Sequence, residues 1–222
     1  GVLSSTWEWT YNRIESVDLE SRHITLAYPE LSGICQGDSI RLPHFYFENI
    51  PEEIDQIGEY WIDRNNGLIY FLGGKDLSGL MLTSLETPMV VVKNTSNITF
   101  EDLNFSYGRN HGIVINNSQE ITVNRCQLSN FSKGGIDASG KSIRVLNSQV
   151  RGVGAVGIRL KGGDLSSLEP ADSEVVNCHI HDFGWEQKSQ MAGVCIYGVG
   201  HRVAHNEIHD ASHFGLVIRK SN

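Results

Sequence analysis

Two groups of residues in this sequence have the types and spacing to do chemistry. The first is a file of side chains two positions after recurring glycines: Val114, Asp137, Arg159, Cys195 and Val217. Two residues further on stand Asn116, Ser139, Lys161, Tyr197 and Arg219. Asp137 is the only carboxylate in the two files. Beside Arg159 and Lys161 it is expected to stay ionised, which suits a nucleophile or a base in glycoside hydrolysis better than an acid. The plainer alternative is a solvated carboxylate in a weak surface ion pair. The second group is rich in histidine: His179, His181-Asp182 and His209-Asp210. His181 and His209, like Asp182 and Asp210, occupy equivalent positions in neighbouring repeats, so each pair is expected roughly 5 Å apart. Such pairs suit acid/base work or a sugar hydroxyl, or simply cap turns through side-chain to backbone bonds. Zinc wants three or four convergent ligands, and no metal is assigned here. His111 and His213 sit just before strand-opening glycines and are taken as ligand contacts at the edge of the same groove.

These residues need an element that stacks them. Gly112, Gly135, Gly157, Gly193 and Gly215 each open an alternating apolar strand, at separations of 23, 22, 36 and 22 residues. Each unit holds a second strand (Ile121-Thr122-Val123, Ile143-Arg144-Val145, Val175-Val176, Val203-Ala204) and a third ending in Leu128, Val150, Ile180 and Ile208. An earlier copy runs Val90-Val91-Val92, Ile98-Thr99-Phe100 and Leu103-Asn104-Phe105. Three period-two strands in roughly 22 residues, with Gly and Asn at the corners, describe one coil of a parallel β-helix. Helical apolar spacing is absent, and a propeller blade needs about 40 residues. Alternation points Ile113, Ile136, Ile158, Val194 and Leu216 inward, with Ile115, Ala138, Leu160, Ile196 and Ile218, and turns the two chemical files outward. Leu103, Cys126, Ser148, Cys178 and Asn206 align at one tight corner.

The long interval holds insertions at 162–173 and 184–191, and insertions in solenoids often border a binding groove. Trp185 in the second, with Tyr197, is placed to pack on sugar rings. Asp164, Glu169 and Glu186 are candidates for a second carboxylate. Residues 1–88 lack the period. Trp7 and Trp9 alternate, Ile24-Thr25-Leu26 and Ser39–Leu42 read as strands, and Tyr60–Asp63 and Leu68–Phe71 flank a loop with Asn66-Gly67, a hairpin signal. The expected organisation is an antiparallel β subdomain over 1–88, its core holding Trp7, Trp9 and Trp61, and an all-β right-handed parallel β-helix over 89–222. The helix breaks off within a coil at Asn222, as a fragment would. The start at Gly1 likewise reads as a processed or excised piece.

The chain has 26 acidic against 18 basic residues, a formal charge of −8. That argues against a duplex nucleic-acid partner, which calls for a basic stripe. No apolar run reaches the roughly 18 residues that cross a bilayer, so no membrane partner is expected. Cys35, Cys126, Cys178 and Cys195 show no paired spacing and read as buried fillers. Cys126 and Cys178, two coils apart, are beyond disulfide reach.

The stretches Phe47–Asp55, Ile57–Arg64 and Gly67–Phe71, with Asn177–Gly184 and Gly198–Gly215 later, resemble right-handed parallel β-helix proteins of bacterial polysaccharide degradation. The resemblance spans about residues 40–222. It implies a β subdomain attached to the solenoid and activity on a plant or microbial polysaccharide or oligosaccharide, as in similar glycosidases of fucosides, xylans and xylosides. It also implies an extracellular or periplasmic location. The leading expectation is a glycoside hydrolase or a piece of one, with Asp137, His181, Asp182, His209 and Asp210 catalytic. Arg159, Lys161, Tyr197, Arg219, His111, His213 and Trp185 are then substrate contacts. No cofactor is expected. One rival is a polysaccharide lyase acting on uronates, served by Arg159, Lys161, Arg219 and Tyr197, for which Ca²⁺ is a conceivable cofactor. The other is a non-catalytic glycan-binding solenoid.

Overall fold

The computed structural model of the protein describes residues 2–3, 9–29, 45–74 and 77–219. It divides into two compact units, 1–81 and 82–222. The lead-in to the solenoid belongs with the second unit, because Arg109 N–H donates to Leu85 O and Met89 N–H to His111 O.

Within the first unit the described strands form three antiparallel pairs. They are β1 (Val2–Leu3) with β2 (Trp9–Thr10), β3 (Ile14–Asp18) with β4 (His23–Leu26), and β5 (Tyr60–Asp63) with β6 (Leu68–Phe71). The expected hairpin is the last pair. Asp63 closes its loop by accepting from the Asn65 and Asn66 N–H groups, and half-buried Trp61 stacks on Tyr70 at 5.0 Å. Trp7, Cys35 and the expected strand Ser39–Leu42 lie outside the described residues, and of Trp9 only the backbone is described.

The second unit is a right-handed parallel β-helix. Its strands are β7 (Val90–Lys93), β8 (Ser96–Glu101), β9 (Asn104–Gly108), β10 (Ile113–Asn124), β11 (Gln127–Phe131), β12 (Ile136–Leu146), β13 (Gln149–Val153), β14 (Ile158–Gly162), β15 (Ser173–Val176), β16 (His179–Phe183), β17 (Ala192–Gly198), β18 (His201–Ala204), β19 (Glu207–Ala211) and β20 (Phe214–Arg219). Every pairing among them is parallel and joins one coil to the next. Three walls result. The first carries β7, the first half of β10 and of β12, then β14, β17 and β20. The second carries β8, the later halves of β10 and β12, then β15 and β18. The third carries β9, β11, β13, β16 and β19. The first two strands of a coil were expected to be separate. In β10 and β12 they are one strand bent at the corner, with a register irregularity between Ile115 and Ser118.

The inward files hold as read. Ile113, Ile136, Ile158 and Val194 pair rung to rung and are fully buried, as are Val123, Val145 and Val175 on the second wall and Leu128, Val150 and Ile180 on the third. Each contributes about 1.5–3 kcal/mol of burial. Leu216 and Ile218 keep that register but are exposed, because among the described residues no coil stacks beyond β20. The third strands run three residues past the expected ends, to Phe131, Val153, Phe183 and Ala211. Their inward positions are spaced by three rather than two, because Asn130, Gly152, Asp182 and Asp210 all adopt positive φ and reset the alternation. The corner at Cys126, Ser148, Cys178 and Asn206 is also real. Cys126 N–H donates to Ser148 Oγ at 3.0 Å and Cys178 N–H to Asn206 Oδ1 at 2.8 Å. Cys126, Cys178 and Cys195 are buried and unbridged.

Candidate functional site

Rung pairing brings the two outward files together on the first wall. Asp137 lies beside Arg159, Arg159 beside Cys195, and Ser139, Lys161, Tyr197 and Arg219 follow one another in the second file. Arg159 Nη1 donates to Asp137 Oδ2 at 2.9 Å, and Lys161 Nζ stands 3.6 Å from Oδ1. Both partners of the first pair are largely covered, so this is a firmer contact than an exposed bridge. Lys161 also lies 5.8 Å from the centre of the Tyr197 ring. Two cations around one carboxylate leave this patch net positive.

His111 completes the patch. It precedes Gly112, and its ring lies against Gly134 of the next coil, where a Cβ would stand 3.0 Å from His111 Cδ2. Nδ1–H donates to Asn110 Oδ1 at 2.9 Å, which makes Nε2 the nitrogen that carries the lone pair. Burial pushes the imidazole below its ordinary pKa. The Asp137 carboxylate opposes that shift, while Arg159, Lys133 and Lys161 reinforce it. A neutral imidazole among cations is a base ready to act at neutral pH.

The far end of the wall is covered. Insertion 184–191 is tied down by Gln187 N–H to Gly154 O, Gln190 N–H to His213 Nδ1 at 2.9 Å, and Arg219 Nη2 to Gln190 Oε1 at 3.1 Å. Met191 packs with Tyr197, Phe214 and Val217 against Val156, Ala192 and Cys195. Cys195 therefore faces outward yet is only 3% exposed. His213 and Arg219, expected as substrate contacts, hold the insertion. Glu169 pairs with Lys141 at 2.8 Å and Asp164 accepts from Ser166 within its own turn. No other outward-file position carries a carboxylate.

The histidine corner lies on the third wall, apart from Asp137. His181 pairs with His209 as expected, with rings stacked at 5.1 Å. Asp182 and Asp210 adopt positive φ and turn back on the preceding residue. His181 Nδ1 and His209 Nδ1 each lie 2.7 Å from the adjoining aspartate Oδ2. Trp185 joins this corner rather than the first wall. With Gly152, Asp182, Lys188 and Asp210 it lines a shallow depression of about 400 Å³. Sequence reasoning missed the diagonal reach of His179, whose Nε2 is 2.7 Å from His209 Nε2, and the part of Gln149, whose amide nitrogen meets both His179 Nδ1 and His181 Nε2. The readable signal was the file of residues that tolerate positive φ, Asn130, Gly152, Asp182 and Asp210.

A family model described as a right-handed beta helix region matches residues 88–169, which include Asp137, Arg159, Lys161 and His111. No curated protein and no solved structure matches the chain. No helix among the described residues is long and apolar enough to cross a membrane.

Proposed function

We propose that this chain is, or is part of, a carbohydrate-active enzyme that takes a polysaccharide along the first wall, and that its substrate carries uronate groups. Right-handed β-helix regions are common in carbohydrate-active enzymes. The observation that carries the choice of sugar is the net positive patch of Asp137, Arg159 and Lys161 beside neutral His111. Cleavage there is a β-elimination. Arg159 and Lys161 meet the uronate carboxylate and stabilise the charge that develops beside it. His111 Nε2 takes the proton from the carbon α to that carboxylate. The electron pair forms the new carbon–carbon double bond as the glycosidic carbon–oxygen bond breaks. The departing oxygen gains a proton from solvent. Tyr197, packed against the covered end of the wall with Lys161 Nζ over its ring, borders the place of the neighbouring sugar. An extracellular or periplasmic setting, where polymeric glycans are met, suits this reading.

Glycoside hydrolysis is the second reading, favoured by the Asp137 carboxylate held between two cations as a nucleophile or base would be. It takes a second carboxylate about 5–9.5 Å away. One experiment separates the readings. The protein is incubated with uronate-containing and with neutral polysaccharides, and both ultraviolet absorbance and new reducing ends are followed. Elimination is expected to yield both signals on the uronate polymer only. Reducing ends without absorbance assign hydrolysis, and neither signal on any polymer overturns the enzymatic reading.

A further inference from the structure

We propose that His179, His181 and His209 form a zinc site on the third wall. They project from adjacent rungs, β16 and β19, and one nitrogen from each lies within 4.8 Å of the others. The Nδ1 groups of His181 and His209 are committed to Asp182 and Asp210 at 2.7 Å. That contact fixes both rings as Nδ1–H tautomers and directs both Nε2 lone pairs away from the carboxylates. Imidazole backed by carboxylate is the common outer shell of histidine–zinc coordination, where it orients the ring and raises its basicity. The positive φ that Asn130 and Gly152 also take at this position of earlier coils is what turns the two carboxylates back onto the rings.

His179 supplies the third nitrogen. Without a cation the hydrogen bonds close on themselves. Gln149 donates to His179 Nδ1 and His181 Nε2, and His179 Nε2–H donates to His209 Nε2. Zinc entry needs a half-turn of the Gln149 amide, so that its oxygen accepts from His179 Nδ1, and a shift of the His179 proton from Nε2 to Nδ1. All three Nε2 atoms are then free of hydrogen with no net proton released, and the His181 and His209 rings, stacked with planes 10° apart, tilt so that their in-plane lone pairs meet on one ion. Two nitrogens on a tetrahedral zinc stand about 3.3 Å apart, from bonds of about 2.0–2.1 Å. The 2.7 Å His179–His209 pair therefore opens by about half an ångström.

Charge favours the cation. Asp182, Asp210 and Glu207 surround the rings, with Glu207 Oε1 3.9 Å from His209 Nε2 and so in reach of a fourth position, directly or through water. Two cations oppose it: Arg151, paired with His181 from the preceding coil, and Lys188, which lines the same depression as Asp182 and Asp210. Three imidazole nitrogens with an open position suit zinc better than calcium or magnesium, which take oxygen ligands.

This site does not depend on the glycan reading, and its test needs no activity. Untagged protein, freed of metal with a chelator, is titrated with Co²⁺ and then with Zn²⁺. One equivalent of Co²⁺ should produce the intense visible bands of a four- or five-coordinate centre, and Zn²⁺ should remove them. His179→Gln and His181→Gln should abolish the bands while the β-sheet circular dichroism persists. Asp210→Asn leaves every ligand in place and should weaken binding about 10–100-fold. Should a histidine variant fail to fold, the aspartate variant carries the test. Absence of saturable one-equivalent binding, or binding unchanged in every variant that folds, overturns the proposal.

Discussion

His111→Gln should lower the rate of uronate elimination by about two to four orders of magnitude, the usual contribution of a positioned general base, and leave the melting temperature nearly unchanged. Glutamine keeps a polar group beside Asn110 but has no lone pair basic enough to take a carbon-bound proton. The loss should fall on kcat, because the cations proposed to bind the uronate, Arg159 and Lys161, remain. The pH profile supplies a second readout. Burial holds His111 below its ordinary value near 6.5, so the wild-type rate should persist into mildly acidic buffer and fall only as pH drops through the lowered pKa. The variant should lack that limb. Stability follows the same linkage. Between the lowered pKa and about 6.5 the unfolded chain binds a proton that folded His111 does not, so stability falls as pH falls through that window and is flat above it. A variant that retains more than a tenth of the wild-type rate would place the base elsewhere.

The files on the first wall were legible because two simple periods compose them. Glycine spacing sets which residues share a rung, and strand alternation sets which face they take. Asp137, Arg159, Lys161 and Tyr197 were therefore placed together without any long-range information. The third wall broke the same rule. Leu128 and Phe131 both face the core although three positions separate them, because Asn130 adopts positive φ between them. That same local conformation swings Asp182 and Asp210 back onto their histidines, and strict alternation cannot show it. Insertion 184–191 was located but not its path. Nothing local to Trp185 says that it turns towards Asp182, or that Met191 covers Cys195. These outcomes depend on where a loop finds acceptors such as Gly154 O, which only the assembled coils supply.

The corner between the first and second walls carries the largest stability prediction. Gly140, Gly162 and Gly198 stack there on successive coils, above Ser118. A Cβ on each would run into a carbonyl oxygen of the rung beneath: Ser118 for Gly140, Gly140 for Gly162, Gly162 for Gly198. The obstruction is backbone, so no side-chain rotation relieves it, and Gly198 also has a φ of 98° that L side chains rarely adopt. Gly198→Ala should therefore cost roughly 3 kcal/mol or more, at the upper end of overpacking penalties, read as a lower denaturation midpoint. Gly215, the second residue of β20, has an ordinary φ, and its added Cβ would meet only Ile208 Cγ2, at 3.8 Å. Gly215→Ala should shift the midpoint by no more than a few tenths of that amount. Because solenoid coils stabilise their neighbours, the Gly198 variant should also lose amide-exchange protection in β14 and β17 before β10. Equal midpoints for the two variants would mean that the stacked corner yields to a methyl group and that the spacing of the rungs is set by other contacts.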